Sequence, residues 1–325
     1  MSETIEIGRL NVEPGSKISG TLKAGERLID DINIPITVVN GTSPGPTLCV
    51  TAGIHGCEYP GIEAAIRLGK NTDPAKLGGK LVIIPVLNPS SFVSRTPYIN
   101  PIDGINMNRI CPGNPEGTIS YQIIHTLFDK VMAKANYSID LHGGDLVEDL
   151  VPFAMYFKTG NTDLDKESEA LAKALGIERL WETSETEGIW NPKGTVTAEA
   201  AKKGVVSALA EAGGKGLLEE ENVSILYNAL LNAMKHLNMI KGQPTIRLKQ
   251  RVTSRGSFGK AKRGGFWHHH VSAGTMVAEG DVIGEITNLQ GDILEIVKAP
   301  DSGELLMVVV NPAITSGDNL LLMLI

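Results

Sequence analysis

Residues 47–70 read TLCVTAGIHGCEYPGIEAAIRLGK, and the fold hangs on how this stretch is parsed. Its opening, TLCVTAGI, is a short apolar run of the kind made by a strand buried on both faces. Its close, PGIEAAIRLGK, carries apolar residues at helical spacing, with Pro60 near the start, where a missing N–H is tolerated. Between the two stand His55 and Glu58, three residues apart. A polar pair at the junction of a strand and the following helix lies where open α/β sheets bind ligands.

The same alternation continues on both sides. KLVIIPVLNP, YSIDLHGG and GVVSALAEAGG read as further buried strands. SYQIIHTLFDKVMAKA, DLDKESEALAKALG and NVSILYNALLNAMKHLNM read as helices. Apolar strands alternating with helices predict an α/β three-layer sandwich over a mostly parallel or mixed sheet. Residues 1–45 hold short alternating segments broken by Gly and Pro, as hairpins or edge strands do. The pattern changes near IKGQPTIRLKQ. Beyond it come closely spaced Gly, Pro and Asp turns, many β-branched residues and no credible helix. Two domains are expected, 1–243 with the N-terminal strands and 244–325 as an all-β unit. GTMVAEGDVIGEI and NPAITSGDNLLLMLI echo each other within that unit. Two such halves resemble the barrel-sandwich of biotinyl and lipoyl carriers. The turn between them, TNLQGD, has no lysine, which argues against a swinging-arm carrier.

Composition narrows the function. The chain has 325 residues, 42% of them apolar, and a net charge of −7. Nucleic acid and anionic membrane both select a basic surface, so neither is an expected partner. An anionic small molecule stays possible, because one arginine in a cleft can outweigh the global charge. The N-terminus lacks the apolar core of a signal peptide. The longest apolar runs fall well short of the roughly 20 residues that span a bilayer. Three cysteines, Cys49, Cys57 and Cys111, do not make a disulfide framework, and a reducing cytoplasm fits them.

Several polar residues fall just after apolar strands. His55 and Glu58 follow TLCVTAGI, Asn88 ends KLVIIPVL, Asp140 and His142 end YSIDLH, and Glu211 ends GVVSALAE. Singly, each has a plainer reading: a core histidine, a loop carboxylate, a helix cap. Jointly, they bring two imidazoles and one carboxylate to one sheet edge, the donor set of an open catalytic Zn²⁺ site. Bound Zn²⁺ lowers the pKa of its water from near 16 to about 7. A carboxylate is still needed to carry the proton to a leaving group, and Glu211 is the free candidate. Asp140 shares a strand face with His142. It either orients that imidazole or accepts from backbone donors. FWHHHV, residues 266–271, is a second cluster. Adjacent histidines on a strand point apart, so His268 and His270 can share a face that excludes His269. A surface strand is the default for all three.

These residues also carry a family resemblance. AGIHGCEYPG, NPSSFVSRTPYINPIDGINMNRICPGNPEGT, DLHGG and SALAEAGG occur in the order found in the succinylglutamate desuccinylase/aspartoacylase family, a relative of the zinc carboxypeptidases. The likeness spans about residues 30–240, and the C-terminal β unit resembles an appendage of many members. The resemblance implies one zinc per chain bound by His55, Glu58 and His142, and Glu211 as general base and acid. It implies that Asn108 and Arg109 bind substrate, and that Arg95 polarises the scissile carbonyl; Asn88, at its strand end, is a further substrate-binding candidate. Guanidinium forks suit both tasks, gripping a carboxylate in one case and a forming oxyanion in the other. Where many members have Asp-Leu-Asn-Arg, this chain has Asn106-Met107-Asn108-Arg109. The lost charge is one that Asp103 can replace. Tyr98 reads as a packing aromatic. A zinc-dependent amidohydrolase acting on a small N-acylated amino acid follows, with a homo-oligomer as a family-level expectation. The alternatives are a zinc carboxypeptidase on short peptides and a non-catalytic binding protein of the same fold.

Overall fold

The computed structural model describes residues 3–186, 190–246 and 249–325. Nine strands form one mixed sheet, in the spatial order Arg251–Thr253, Arg179–Ser184, Phe153–Lys158, Val206–Gly214, Tyr137–Gly144, Ser43–Ala52, Gly78–Ile84, Ile32–Asn40, Ser16–Gly25. Its centre is parallel, from Val206–Gly214 through Gly78–Ile84. The strands Ile32–Asn40 and Ser16–Gly25 close one edge antiparallel.

The pleat sorts side chains between two cores. Leu48, Val50 and Ala52 face the helices Tyr59–Asn71, Thr162–Ala174 and Glu220–His236. Cys49, between them, faces the opposite layer with Val82, Ile84, Ile123 and Phe128. This is the expected three-layer arrangement over a mixed sheet. Among the described residues no helix is long and apolar enough to cross a membrane.

Two strands were not legible in advance, Phe153–Lys158 and Arg179–Ser184. The expected helix over SYQIIHTLFDKVMAKA is also not uniform. It is α-helical over Ile119–Thr126, widens to a π turn at Leu127–Val131 and tightens at Met132–Lys134. The buried positions explain the widening: Ile123, Ile124, Leu127, Phe128, Val131 and Met132 repeat every four residues. A 3.6-residue helix would rotate that stripe off the core, and a wider turn holds it there.

The C-terminal strands form two further sheets around Trp267, Ile283, Ile286, Leu305 and Leu321. The internal echo has a structural counterpart. Asp281 accepts from the Ala278 N–H at 2.8 Å, and Asp318 accepts from the Thr315 N–H at 2.7 Å. Each aspartate closes the turn that feeds a strand. Arg251–Thr253 completes the edge of the large sheet beside Arg179–Ser184. The short strand Glu148–Leu150 in turn pairs with Gly303–Val309 of the β unit. Buried Glu304 receives the Arg179 guanidinium at 2.5 and 2.9 Å and that of Arg251 at 2.7 Å, tying the two parts together.

Candidate active site

The loop after Ser43–Ala52 is built on close backbone approach. Gly53 takes a left-handed φ of +61°. A Cβ on Gly56 would lie 2.2 Å from the Phe92 backbone nitrogen, so only glycine fits there. Gly56→Ala is expected to destabilise the fold by on the order of 3 kcal/mol, the upper range for overpacking. A drop in the denaturant midpoint at unchanged slope measures it. Two side chains fix the loop to the helix Pro89–Ser94. The Gly56 N–H donates to Ser91 Oγ at 3.0 Å. Asn88 Nδ2 donates to the Ile54 carbonyl at 3.3 Å, and its Oδ1 caps the Ser91 N–H at 3.1 Å. Asn88 is fully buried and engaged at both ends of its amide. In this way it supports the loop.

That loop carries His55 and Glu58 to His142, at the end of the neighbouring strand. The donor atoms of the three lie within 4.8 Å of one another, and all three residues are buried. Both imidazoles turn Nδ1 toward the carboxylate: His55 Nδ1 is 2.8 Å from Glu58 Oε1, and His142 Nδ1 is 2.9 Å from Oε2. The outer nitrogens have their own partners. His142 Nε2 donates to Asp140 Oδ2 at 2.9 Å, and Asp140 Oδ1 accepts from Thr51 Oγ1 at 2.6 Å. His55 Nε2 donates to Asn106 Oδ1 at 3.2 Å. Asp140 thus orients an imidazole, the first of its two readings.

The electrostatics ask for a cation. Burial opposes charge on Glu58, but the two imidazoles outweigh it and hold the carboxyl down at about 2. Burial likewise opposes protonation of His142, and Glu58 and Asp140 overcome it, so its pKa lies well above the ordinary histidine value. A proton between ligand-type atoms is the place a metal ion takes. Glu58 Oε2 is buried without a hydrogen bond, because the line to His142 is short but misaligned. Donor type, convergence and this orphaned oxygen all fit a divalent ion.

Around the triad the expected residues divide. Glu211 lies beside His142 in register on the next strand and is half-buried. Burial drives its carboxyl up to about 8 against the pull of His142. Asn108 is buried; its Oδ1 accepts from the Val196 N–H at 2.9 Å, which leaves Nδ2 3.3 Å from His142 Nε2. Arg109 donates to the Asn108 carbonyl at 2.6 Å and lies 5.4 Å over the Trp190 ring, with Glu211 as its charged neighbour. Arg95 is exposed, at a left-handed residue ending the helix Pro89–Ser94; among the described residues its guanidinium has no partner. Asp103 does not replace the charge absent from Asn106. Its carboxylate caps the helix Ile119–Thr126 through Thr118 and Ser120. His268, His269 and His270 are exposed and form no metal-type group among the described residues.

Two residues belong to the site that sequence reading passed over or took for packing. Tyr98 sets its ring edge on His55 at 5.6 Å between centroids; its hydroxyl is buried without a hydrogen bond, and Glu148 is its charged neighbour. The available signal was the acidic run GGDLVED, directly after the His142 strand.

The catalytic-domain model of the succinylglutamate desuccinylase/aspartoacylase family matches residues 44–237. The chain is 26% identical, over 79% of its length and 75% of the relative's, to an N-alpha-acetyl-L-2,4-diaminobutyric acid deacetylase of Halomonas elongata. It is 25% identical, over 76% of its length and 74% of the relative's, to a succinylglutamate desuccinylase of Ectopseudomonas mendocina. A solved succinylglutamate desuccinylase/aspartoacylase structure from Rhodobacter sphaeroides superposes with a TM-score of 0.85, at 26% identity and 94% coverage of both chains. The strand ends that gather His55, Glu58 and His142 lie within the matched region, and the chain belongs to the succinylglutamate desuccinylase/aspartoacylase family of deacylases.

Proposed function

We propose that this chain is a zinc-dependent deacylase that hydrolyses the amide bond of a small N-acylated amino acid. The observation that carries the reading is the convergence of His55, Glu58 and His142 beside a half-buried Glu211. Zinc held by those three residues would supply a Lewis acid for the amide carbonyl and a water acidified toward neutral pH. Glu211 accepts the proton of the attacking water and returns it to the departing nitrogen. Its elevated affinity for a proton suits a group that must hold one between steps. Arg109, braced on Trp190, presents its free N–H groups to the substrate carboxylate. Asn108 faces the same side of His142. Arg95 reaches in from the rim to the carbonyl oxygen as negative charge forms there, a contribution of about 10²–10³ in rate.

The test is a screen of N-acetyl and N-succinyl amino acids beside dipeptides, with zinc-loaded and chelated protein. Release of free amine from N-acyl amino acids is expected at a kcat/KM at least about tenfold above that for dipeptides, a margin of roughly 1.4 kcal/mol. Dipeptides as the better substrates, or activity indifferent to chelation, would sink the reading.

A further inference from the structure

An arginine that grips a carboxylate must first be held still, because its long side chain otherwise loses rotational freedom at the moment of binding. Arg109 is exposed. Its Nη1 donates to the Asn108 carbonyl at 2.6 Å, and its guanidinium has no ion pair among the described residues. The segment 190–196 supplies the restraint. Trp190, half-buried, puts its ring against the guanidinium, with Cζ 5.4 Å from the centroid. The chain then turns along the backbone of Arg109 and its neighbours. The Cys111 N–H donates to the Gly194 carbonyl at 2.9 Å, and the Val196 N–H donates to Asn108 Oδ1 at 2.9 Å. Gly194 is left-handed, with φ 79°, and a Cβ there would lie 2.4 Å from the Arg109 carbonyl oxygen, so the approach requires glycine. One segment therefore holds Arg109 at both ends, the backbone through Gly194 and the guanidinium through Trp190. A stacked ring occupies the guanidinium face and leaves the N–H groups at its edge for hydrogen bonds.

The stack continues behind Trp190. Trp181 lies 5.8 Å from it, tilted by 39°, and Phe153 lies 6.3 Å from Trp181. Trp181 and Phe153 are buried in a cluster that includes Leu306, Leu322 and Leu324 of the C-terminal unit, and Trp190 packs against it. The last strand serves two cores through its pleat. Leu321 and Met323 face the core of the β unit, while Leu322 and Leu324 face the cluster around Trp181. Close-packed interiors transmit displacement, so a void made at Leu322 is felt at Trp190.

We propose that Trp190 is a positioning residue for the carboxylate grip of Arg109, and that the C-terminal unit, through Leu322 and Trp181, sets where Trp190 stands. This rests on the deacylase reading above, with Arg109 as the carboxylate arm, and gives the C-terminal unit a part in substrate binding.

The probes are N-acetylglycine and its carboxamide, which differ only in the group Arg109 grips. Each is titrated calorimetrically into zinc-loaded Glu211→Gln protein, in which turnover is suppressed. Trp190→Ala is expected to weaken N-acetylglycine binding by about 5–30-fold, the span of a partly desolvated cation–π contact, and to leave carboxamide binding near that of the parent. Trp190→Phe keeps a ring face and should recover most of the loss. In an Arg109→Ala background Trp190→Ala should add nothing further, because it acts only through the guanidinium. With Glu211 restored, the loss should appear in KM and not in kcat. Leu322→Ala should reproduce the carboxylate-specific loss at about 2–5-fold, the range of substitutions that act through packed neighbours. Circular dichroism and zinc content identify any variant that misfolds, and Trp190→Phe then carries the test as the milder change. Equal loss for acid and carboxamide overturns the proposal, as does an undiminished effect of Trp190→Ala in the Arg109→Ala background. A Leu322→Ala protein that binds N-acetylglycine as the parent does overturns the part given to the C-terminal unit. If N-acyl amino acids are bound with this pattern but not cleaved, the deacylase reading fails and the positioning role of Trp190 stands.

Discussion

Glu211→Gln will reduce kcat by about 10³-fold, inside the 10²–10⁴ that a positioned general acid–base group supplies. The substitution keeps the shape of the side chain and removes only its ability to take and return a proton. Glu211 lies in register with His142 on adjacent parallel strands, so its carboxyl has a fixed place relative to the triad. Circular dichroism and zinc content should match the parent, which separates loss of chemistry from loss of fold or metal. A kcat within tenfold of the parent would assign the proton transfer to another group. The same variant has a second signature. In the metal-free protein burial holds the Glu211 carboxyl up at about 8, against an ordinary value of 4.5. The folded chain therefore retains a proton that the unfolded chain has released. Stability from this group falls as pH rises from about 4.5 to about 8. Metal-free Glu211→Gln lacks that loss, so its advantage in denaturant midpoint over metal-free wild type should be large at pH 8 and vanish near pH 4.

Much of this site was legible because strand ends announce themselves. A run such as YSIDLH is apolar for a reason, burial on both faces, and polar residues at its end stand out against it. That logic picked out His55, Glu58, His142 and Glu211 from three separate segments, and the structure brings His55, Glu58 and His142 together. It does not report what a polar residue does for the scaffold. Asn88 sits at a strand end too, but its amide caps Ser91 and holds Ile54. Asp103, close to Asn106 in sequence, spends its carboxylate on capping a helix. Side-chain hydrogen bonding of this local kind depends on turn geometry, which spacing alone does not report. Glu148 escaped for the opposite reason. Its strand is three residues long and pairs with Gly303–Val309, more than 150 positions away, a contact no local pattern encodes. The π turn at Leu127–Val131 is legible in principle, since the sequence itself carries its four-residue apolar repeat.

His142→Ala is expected to weaken zinc binding by more than about 100-fold and to abolish measurable turnover. The estimate starts from outer partners, whose loss already costs 10–100-fold in affinity; removing a coordinating nitrogen must exceed that. His142 is the informative choice because it comes from a different strand than His55 and Glu58. The latter two share one loop and would stay near each other in many folds; His142 meets them only if the parallel pairing of Tyr137–Gly144 with Ser43–Ala52 is as described. Competition with a chelator measures affinity directly. Asp140→Asn provides the graded comparison. Asp140 acts through His142, accepting its Nε2–H at 2.9 Å, and an amide oxygen there still accepts but carries no charge. Its zinc affinity should drop by at most about 10–100-fold, leaving turnover recoverable at high zinc, where His142→Ala stays inactive. The order of the two variants is the critical result. If Asp140→Asn loses zinc as fully as His142→Ala, or if His142→Ala retains it, then the ion is not held by the imidazole that Asp140 orients, and the proposed ligand set is wrong.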